Sequence, residues 1–283
     1  MKKEGRRIRS IDPMNFIIPF IMPERNGASN LFKTSFDITE AEKFLREKRL
    51  SGMKNIGHMH IIMSAYVRTI SKFPGINRYI RGQHIYARNG IVMCLAIKKQ
   101  MTIEAQETVI KVNANPTDTL DDIYKKVTEL VEENKQEGDR NSMDKAARIL
   151  TYIPGVLLKL CVWLLKTMDY FGLLPRFLVN LSPFHGSMFI TNMGSLGIEP
   201  IYHHLYNFGN IPVFIGMGKR KKKLMMDETG KVIERKIIEV SFVSDERICD
   251  GHYYAEALKQ IKKYIEKPWL LDLPPETVAE DIR

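Results

Sequence analysis

Ser244-Asp245-Glu246-Arg247-Ile248-Cys249-Asp250-Gly251 is the stretch on which the reading of this chain turns. Upstream of it, Met188–Thr191, Val213–Gly218 and Ile233–Val243 are rich in β-formers, and Asp227-Glu228-Thr229-Gly230 makes a hairpin of the last two runs. Downstream, a helix is expected from about Tyr253 to Ile265, stopping near Pro268. The stretch is thus a charged loop between a strand and a helix.

Working outward, helices and strands alternate irregularly along the chain. Residues 1–30 read as an irregular arm rich in Pro and Gly, followed by a strand around Leu31–Phe36. Thr39 is the expected N-cap of a helix that places Ala41, Phe44 and Leu45 on one side. A second helix over about 58–72 carries Ile61, Ile62, Ala65, Tyr66, Thr69 and Ile70, and breaks at Phe73-Pro74-Gly75. His84–Tyr86 and Gly90–Ile97 read as two strands paired through Arg88-Asn89-Gly90, because Asn-Gly favours a tight hairpin turn. Thr108–Val112 is another strand, and Asp118 or Thr119 caps a helix through Glu133. The mixture over the whole length predicts one α/β domain, residues 1–283, built on a mixed β-sheet.

Residues 143–182 differ in texture. They are apolar almost all round, with Lys159 and Lys166 seven apart on one narrow face. No window of eighteen residues is free of charge, so a membrane-spanning helix is not expected. Pro154-Gly155 and Gly172 to Pro175 punctuate the segment into short helices. Three readings stay open: a buried helical hairpin, an interface with another subunit or protein, and a helix lying on a membrane surface.

Composition narrows the class. The chain has 283 residues, of which 44% are hydrophobic and 27% charged, enough for a globular core. Its net charge of +10, from 43 Lys and Arg against 33 Asp and Glu, favours anionic partners such as nucleic acid, anionic lipid or a phosphorylated cofactor. No nucleic-acid motif accompanies the charge, so nucleic acid is not the expected partner. Cys94, Cys161 and Cys249 are widely spaced and lack metal-ligand spacing, which fits a reducing cytoplasm and no metal site. The basic N-terminus (Lys2, Lys3, Arg6, Arg7, Arg9) runs into an apolar patch broken by Pro19 with no small-residue cleavage site, so no signal peptide is expected.

Four stretches then resemble a known family. Gly186-Ser187-Met188-Phe189-Ile190-Thr191-Asn192-Met193-Gly194 is similar to the Gly-x-x-Phe-Thr-Ile-[Ser/Thr]-Asn-x-Gly segment of dihydrolipoyl acyltransferases, the core subunits of 2-oxoacid dehydrogenase complexes. Val213 to Gly218 resembles that family's apolar strand ending in Gly, and residues 245–251 stand where the family has Asp-His-Arg-x-x-Asp-Gly. Glu266-Lys267-Pro268-Trp269-Leu270-Leu271 resembles its closing segment, and Cys249-Asp250-Gly251 is similar to the related chloramphenicol acetyltransferases. The likeness is close over 186–271 and looser over 31–135, and 143–182 has no counterpart in the typical enzymes, so it reads as an apolar helical insertion.

The resemblance implies a two-layer, chloramphenicol acetyltransferase-like sandwich, assembled as a homotrimer or an oligomer of trimers with active sites between subunits. It implies acyl transfer between coenzyme A and a thiol or hydroxyl, with the signature histidine as base. Thr191 matches the hydroxyl that stabilises the oxyanion across the interface, and Asp250 with Gly251 and Arg247 match the residues that shape the loop, the aspartate by an ion pair. Glu246 occupies the histidine position. No lipoyl attachment site or subunit-binding domain is recognisable, so a stand-alone catalytic core is expected.

The substitution changes the proton chemistry. A thiol has a pKa of about 8.5, an imidazole about 6.5 and a free carboxylate about 4.3. Proton transfer to a glutamate is therefore harder by roughly 3 kcal/mol, about a hundredfold in rate if fully felt in the transition state. Burial would recover part of this by raising the carboxyl pKa. A carboxylate also repels a thiolate and an oxyanion. Transfer weakened or redirected is one reading; a catalytically silent scaffold whose 143–182 segment recruits a protein or membrane is the other.

Other histidines are candidate substitutes. His185 precedes the Thr191 strand closely enough to lie near it, His203-His204 follow it, His58 and His60 begin a helix, and His252 follows Gly251. Packed or hydrogen-bonded structural roles are the first expectation for these. The run Lys219-Arg220-Lys221-Lys222-Lys223 reads either as a solvated strand end or as an attractor of coenzyme A phosphates or an acidic surface.

Overall fold

A computed structural model describes residues 4–98, 107–136, 150–227 and 229–283. The chain forms β1 (Gly5–Arg7), α1 (Pro13–Ile21), β2 (Ser29–Asp37), α2 (Thr39–Leu50), α3 (His58–Lys72), β3 (Tyr79–Arg81), β4 (His84–Arg88), β5 (Ile91–Lys98) and β6 (Glu107–Ala114). It continues with α4 (Leu120–Gln136), α5 (Gly155–Tyr170), α6 (Arg176–Leu181), β7 (Met188–Asn192), β8 (Val213–Met226), β9 (Val232–Asp245) and α7 (Gly251–Glu266). The principal sheet has six strands in the order β2-β9-β8-β7-β5-β6. β5, β7 and β8 run parallel to one another and the outer pairs are antiparallel, giving the expected mixed sheet.

One face of the sheet carries the main core. Phe36, Met188, Ile190, Ile215, Val240 and Phe242 pack there against Ile62 and Tyr66 of α3, Ile123 of α4 and Ile261 of α7. α3 is buried from His60 through Ser71, so its sequence shows apolar residues on more than one stripe. His58 and His60 belong to this packing: burial lowers each imidazole to about 4, and His60 Nδ1 accepts from Gly57 N at 3.1 Å. The other face carries a smaller row, Phe189, Phe214 and Val243 beneath Leu205.

Several expectations are corrected. The N-terminal arm is not wholly irregular: Asp12 Oδ1 accepts from Met14 N (2.9 Å) and Pro13 opens α1, a first-turn position that tolerates proline. Thr39 does not cap α2. It is the first helical residue, and its Oγ1 accepts from Lys236 N at 3.0 Å, tying the helix to β9. Thr119 does act as a cap, in a reciprocal pair: its Oγ1 accepts from Asp122 N and Asp122 Oδ2 accepts from Thr119 N.

The Asn89-Gly90 turn does not close a hairpin. β4 pairs with β1 and β3 in a separate three-stranded sheet, whereas β5 pairs with β6 and β7 in the principal one. The turn moves the chain between sheets because Met93, Cys94 and Leu95 are buried by strands on both sides, a position β4 does not compete for.

The buried-hairpin reading of 143–182 does not hold for the described part, and its residues 143–149 lie outside the described range. α5 and α6 contain no buried residue. α5 ends in a Schellman turn: Gly172 takes φ 69°, its N–H reaches Asp169 O and the Leu173 N–H reaches Met168 O. The docked side is Leu158, Cys161, Leu165, Met168 and Asp169, all half-buried. Opposite it, Val156, Leu160, Trp163 and Leu164 form an exposed apolar stripe, with Val156 at 87% and Trp163 at 61% of full exposure.

The small sheet is held by ions. Glu4 accepts from Arg88 Nη1 (3.0 Å) and Asn210 Nδ2 (2.6 Å) and pairs with Arg81. Burial alone would raise its carboxyl, but Arg88, Arg81 and Asn210 hold it down at about 2. A carboxyl whose pKa falls on folding stabilises above its unfolded value and loses that contribution as pH drops through the folded one. Stability linked to Glu4 is therefore complete above the ordinary carboxylate range and lost on the way down to about 2. Urea unfolding should show roughly 2 kcal/mol less acid loss over this window in Glu4→Gln than in wild type, from a lower starting stability. Parallel acid profiles for the two proteins would show that this cluster contributes nothing.

Candidate functional site

The loop after β9 is built around a buried ion pair. Asp245 N donates to Pro212 O (2.8 Å) and Glu246 N to Ala28 O (3.0 Å), fixing the backbone between two neighbouring segments. Arg247 grips Asp245 with two parallel bonds, Nε to Oδ1 and Nη2 to Oδ2, both 2.7 Å. Its Nη1 donates to Met22 O (2.9 Å) and Pro23 O (3.1 Å), so the end of α1 is fastened to the loop. Arg25 Nε lies 3.5 Å from Asp245 Oδ2, and burial pushes the Arg25 guanidinium down to about 10 against the pull of Asp245.

Asp250 has a different task from the one the resemblance implied. Its side chain accepts from Tyr253 N at 2.9 Å and caps α7, while Asp245 forms the ion pair with Arg247. A helix N-cap satisfies an otherwise orphaned amide and favours negative charge there. Gly251 is the first residue of α7, and His252 is exposed on its first turn. Cys249 is a poor nucleophile here, since burial pushes its thiol up to about 12.

Glu246 is half-buried and lines a cleft of about 570 Å³. Asn15 and Ile18 of α1 with Met22 just after it form one wall, Asn30 to Phe32 of β2 another, and Asp250, Gly251 and Tyr254 the third. The volume is that of a small-molecule site. The carboxyl side chains of Glu246 and Asp250 share this cleft, so it is a poor host for a developing anion.

Thr191 is not in that cleft. It is buried on the opposite face of β7, in a cross-strand row with Gly216 and Ser241, and its Oγ1 lies 3.1 Å from His203 Nε2. Glu246, the first residue after β9, follows Ser241 by five positions. That spacing amounts to about 16 Å along the strands and about 10 Å across them. One chain does not bring the two residues together.

His185 is likewise placed elsewhere. Its Nδ1 contacts Ser182 Oγ at 2.8 Å and its Nε2 contacts Asp169 Oδ1 at 3.1 Å. Asp169 Oδ2 also accepts from Gly209 N (3.0 Å). The Ser-His-Asp order invites comparison with a hydrolytic triad, but the small cavity near it, about 10 Å³ and lined by Phe184, Phe208 and other largely apolar groups, is lined by none of the three. The three residues clamp the end of α5 to the entrance of β7. His203, for which the sequence suggests a packed or hydrogen-bonded role, is the histidine that reaches Thr191. The signal for it was its position in the segment that the glycines of β8 allow onto the sheet.

The basic run on β8 is mostly spoken for. Lys221 reaches Glu199 (2.7 Å) and Glu239 (3.2 Å), Lys222 reaches Glu234 (2.9 Å), Lys219 reaches Glu199 (3.6 Å) and Arg220 reaches Glu42 (3.3 Å). Paired surface cations are weak attractors of a further anion. Among the described residues no cluster of His, Cys, Asp and Glu is arranged to hold a metal ion.

By fold this is a mixed α/β protein of the chloramphenicol acetyltransferase-like type. Residues 180–273, which contain β7, β8, β9, the loop and α7, match the family 2-oxoacid dehydrogenases acyltransferase (catalytic domain). Among solved structures, a probable dihydrolipoamide acetyltransferase from Listeria monocytogenes 4b F2365 is similar over 94% of this chain and 96% of its own, with TM-score 0.60 and 14% identity. The cubic core of the pyruvate dehydrogenase multienzyme complex is similar over 96% and 93%, with TM-score 0.60 and 13% identity. A chloramphenicol acetyltransferase is similar over 91% and 99%, with TM-score 0.54 and 12% identity. At such identities the likeness is one of fold. No curated protein sequence matches the chain.

Proposed function

We infer that the chain is an acyltransferase-type catalytic core that binds coenzyme A or an acyl group between subunits, with transfer weakened or redirected by Glu246. The observation that carries this reading is the loop itself: the Asp245–Arg247 pair and the Asp250 cap hold Glu246 at the wall of a ligand-sized cleft. In the mechanism that the family match suggests, Thr191 would stabilise an oxyanion and the residue at 246 would take the acceptor proton. The separation of Thr191 from Glu246 within one chain favours a homotrimer, in which a second copy brings the two sites face to face.

Titration calorimetry with coenzyme A, paired with light scattering, tests the reading. Binding by an oligomer of at least three copies is expected. A stable monomer, or no heat with coenzyme A or acetyl-coenzyme A, would sink it.

The exposed stripe of α5 favours a second reading, a scaffold that docks through this helix. Val156, Leu160, Trp163 and Leu164 face outward with Lys159 and Lys166 along one flank, a pattern suited to an anionic membrane surface or a protein partner. Among the described residues no helix is long and apolar enough to cross a membrane. On this reading the protein floats with liposomes containing phosphatidylserine, and Trp163→Glu lowers the bound fraction about tenfold. Equal flotation of the two proteins would remove the membrane version.

A further inference from the structure

The Thr191 hydroxyl is engaged by an imidazole that the acyltransferase signature does not include. His203 Nε2 stands 3.1 Å from Thr191 Oγ1. The ring lies flat on Phe214, with centroids 4.3 Å apart and planes within 16°, and Phe214 lies on Phe189 at 4.6 Å and 18°. This three-ring stack fixes the plane of the imidazole and aims its Nε2 edge at the hydroxyl.

The sequence explains why His203 can be there. The segment before it rests directly on the sheet, and Ser241 Oγ donates to Ile201 O at 2.5 Å. A Cβ on Gly216 would stand 2.7 Å from Ile201 O, and one on Gly218 would collide with the Pro200 ring. Those two glycines therefore let residues 200–203 approach β8 closely enough for His203 to reach across to Thr191 on β7. The Gly-Met-Gly end of β8 is, in this chain, a seat for the histidine.

A contact between an imidazole nitrogen and a hydroxyl has two proton arrangements. If Nε2 accepts, the threonine proton is consumed and nothing is left to donate to an acyl oxygen. If Nε2–H donates to Oγ1, the hydroxyl proton is turned away and is strengthened as a donor by the bond behind it. We propose that His203 is a positioning residue that holds Thr191 as an oxyanion donor, through an Nε2–H to Oγ1 bond. The proposal rests on the acyltransferase reading of Thr191. It adds a second layer to that site, in which the imidazole acts through the hydroxyl and takes no proton from the acceptor.

Long-range proton–nitrogen correlation spectra of the full-length labelled protein, recorded above the imidazole titration range, read the tautomer directly. His203→Phe identifies the His203 signals. His203 is expected as the Nε2–H tautomer; an unprotonated Nε2 overturns the proposal whatever the activity.

Kinetics with acetyl-coenzyme A and dihydrolipoamide give the second arm. His203→Phe keeps a ring on Phe214 but has no donor, and kcat should fall about tenfold with KM little changed. His203→Gln, whose amide nitrogen reaches the same region, should recover most of the loss. Equal losses in the two variants, or none in either, would refute a positioning role. Absence of coenzyme A binding in wild type would instead remove the acyltransferase reading, while the tautomer would still decide the His203–Thr191 bond.

Discussion

Glu246→His should raise acetyl transfer from acetyl-coenzyme A to dihydrolipoamide by about a hundredfold. The backbone there is already set. Glu246 N is held by Ala28 O, the flanking Asp245 and Arg247 are locked together, and Asp250 caps the helix that follows. Glu246 is half-buried and lines a cleft of about 570 Å³, which leaves room for an imidazole. The gain has two physical sources. Imidazole is a stronger base than a carboxylate by about 2 in pKa, and on accepting a proton it becomes a cation beside the developing anion. Glutamate starts as an anion and merely becomes neutral. Steady-state rates of the two proteins at one pH settle the matter. Wild type turning over as fast as the variant would show that Glu246 is a competent base or that another group does the work.

Asp245→Asn should destabilise the fold by about 3–5 kcal/mol, a large fraction of what a domain has. Asp245 is 1% exposed and lies between Arg247, which it binds with two bonds, and Arg25. Removing its charge leaves two buried guanidinium groups with no carboxylate between them. Arg247→Met is expected to cost less, because Arg25 still faces Asp245 and the flexible apolar chain fills the space. The ordering separates an electrostatic cause from simple loss of contacts. Urea unfolding of the two variants measures it, and equal losses, or a loss under about 1 kcal/mol for Asp245→Asn, would show that water reaches the pair. Because Arg247 also fastens Met22 and Pro23, the asparagine variant should loosen the cleft wall formed by α1 as well.

The legible parts of the fold were those with strong local periodicity. α3, α4, β7, the β8–β9 hairpin and α7 stand close to where residue patterns place them, since alternation and caps are properties of neighbouring residues. α1 was missed because Pro13 and Pro19 look like breakers, although proline at a first helical turn gives up no bond. Asn89-Gly90 has the local preference of a hairpin turn, but that preference does not say which strands will flank it. The apolar texture around α5 is plain in the sequence, but texture is the same whether a helix is buried in its own chain or left exposed on it.

At the site, motif spacing located the loop, Glu246 and Thr191, and even the helix that Asp250 caps. It did not show that Asp245, two residues away, takes the ion pair with Arg247. Both aspartates are within reach of Arg247 in sequence, and only the packing of Arg25 and the end of α1 selects one.

By itself, then, the sequence determined most of the order of elements and the charged loop that carries Glu246. Those are short-range matters, set by periodicity, turn chemistry and the side chain at one place. Tertiary structure alone decided that Glu246 and Thr191 lie apart in a single chain, that the glycines of β8 seat His203 against Thr191, and that α5 turns its apolar stripe outward. Each depends on which strands become neighbours and how closely a distant segment can approach them, and such contacts leave no period in the sequence.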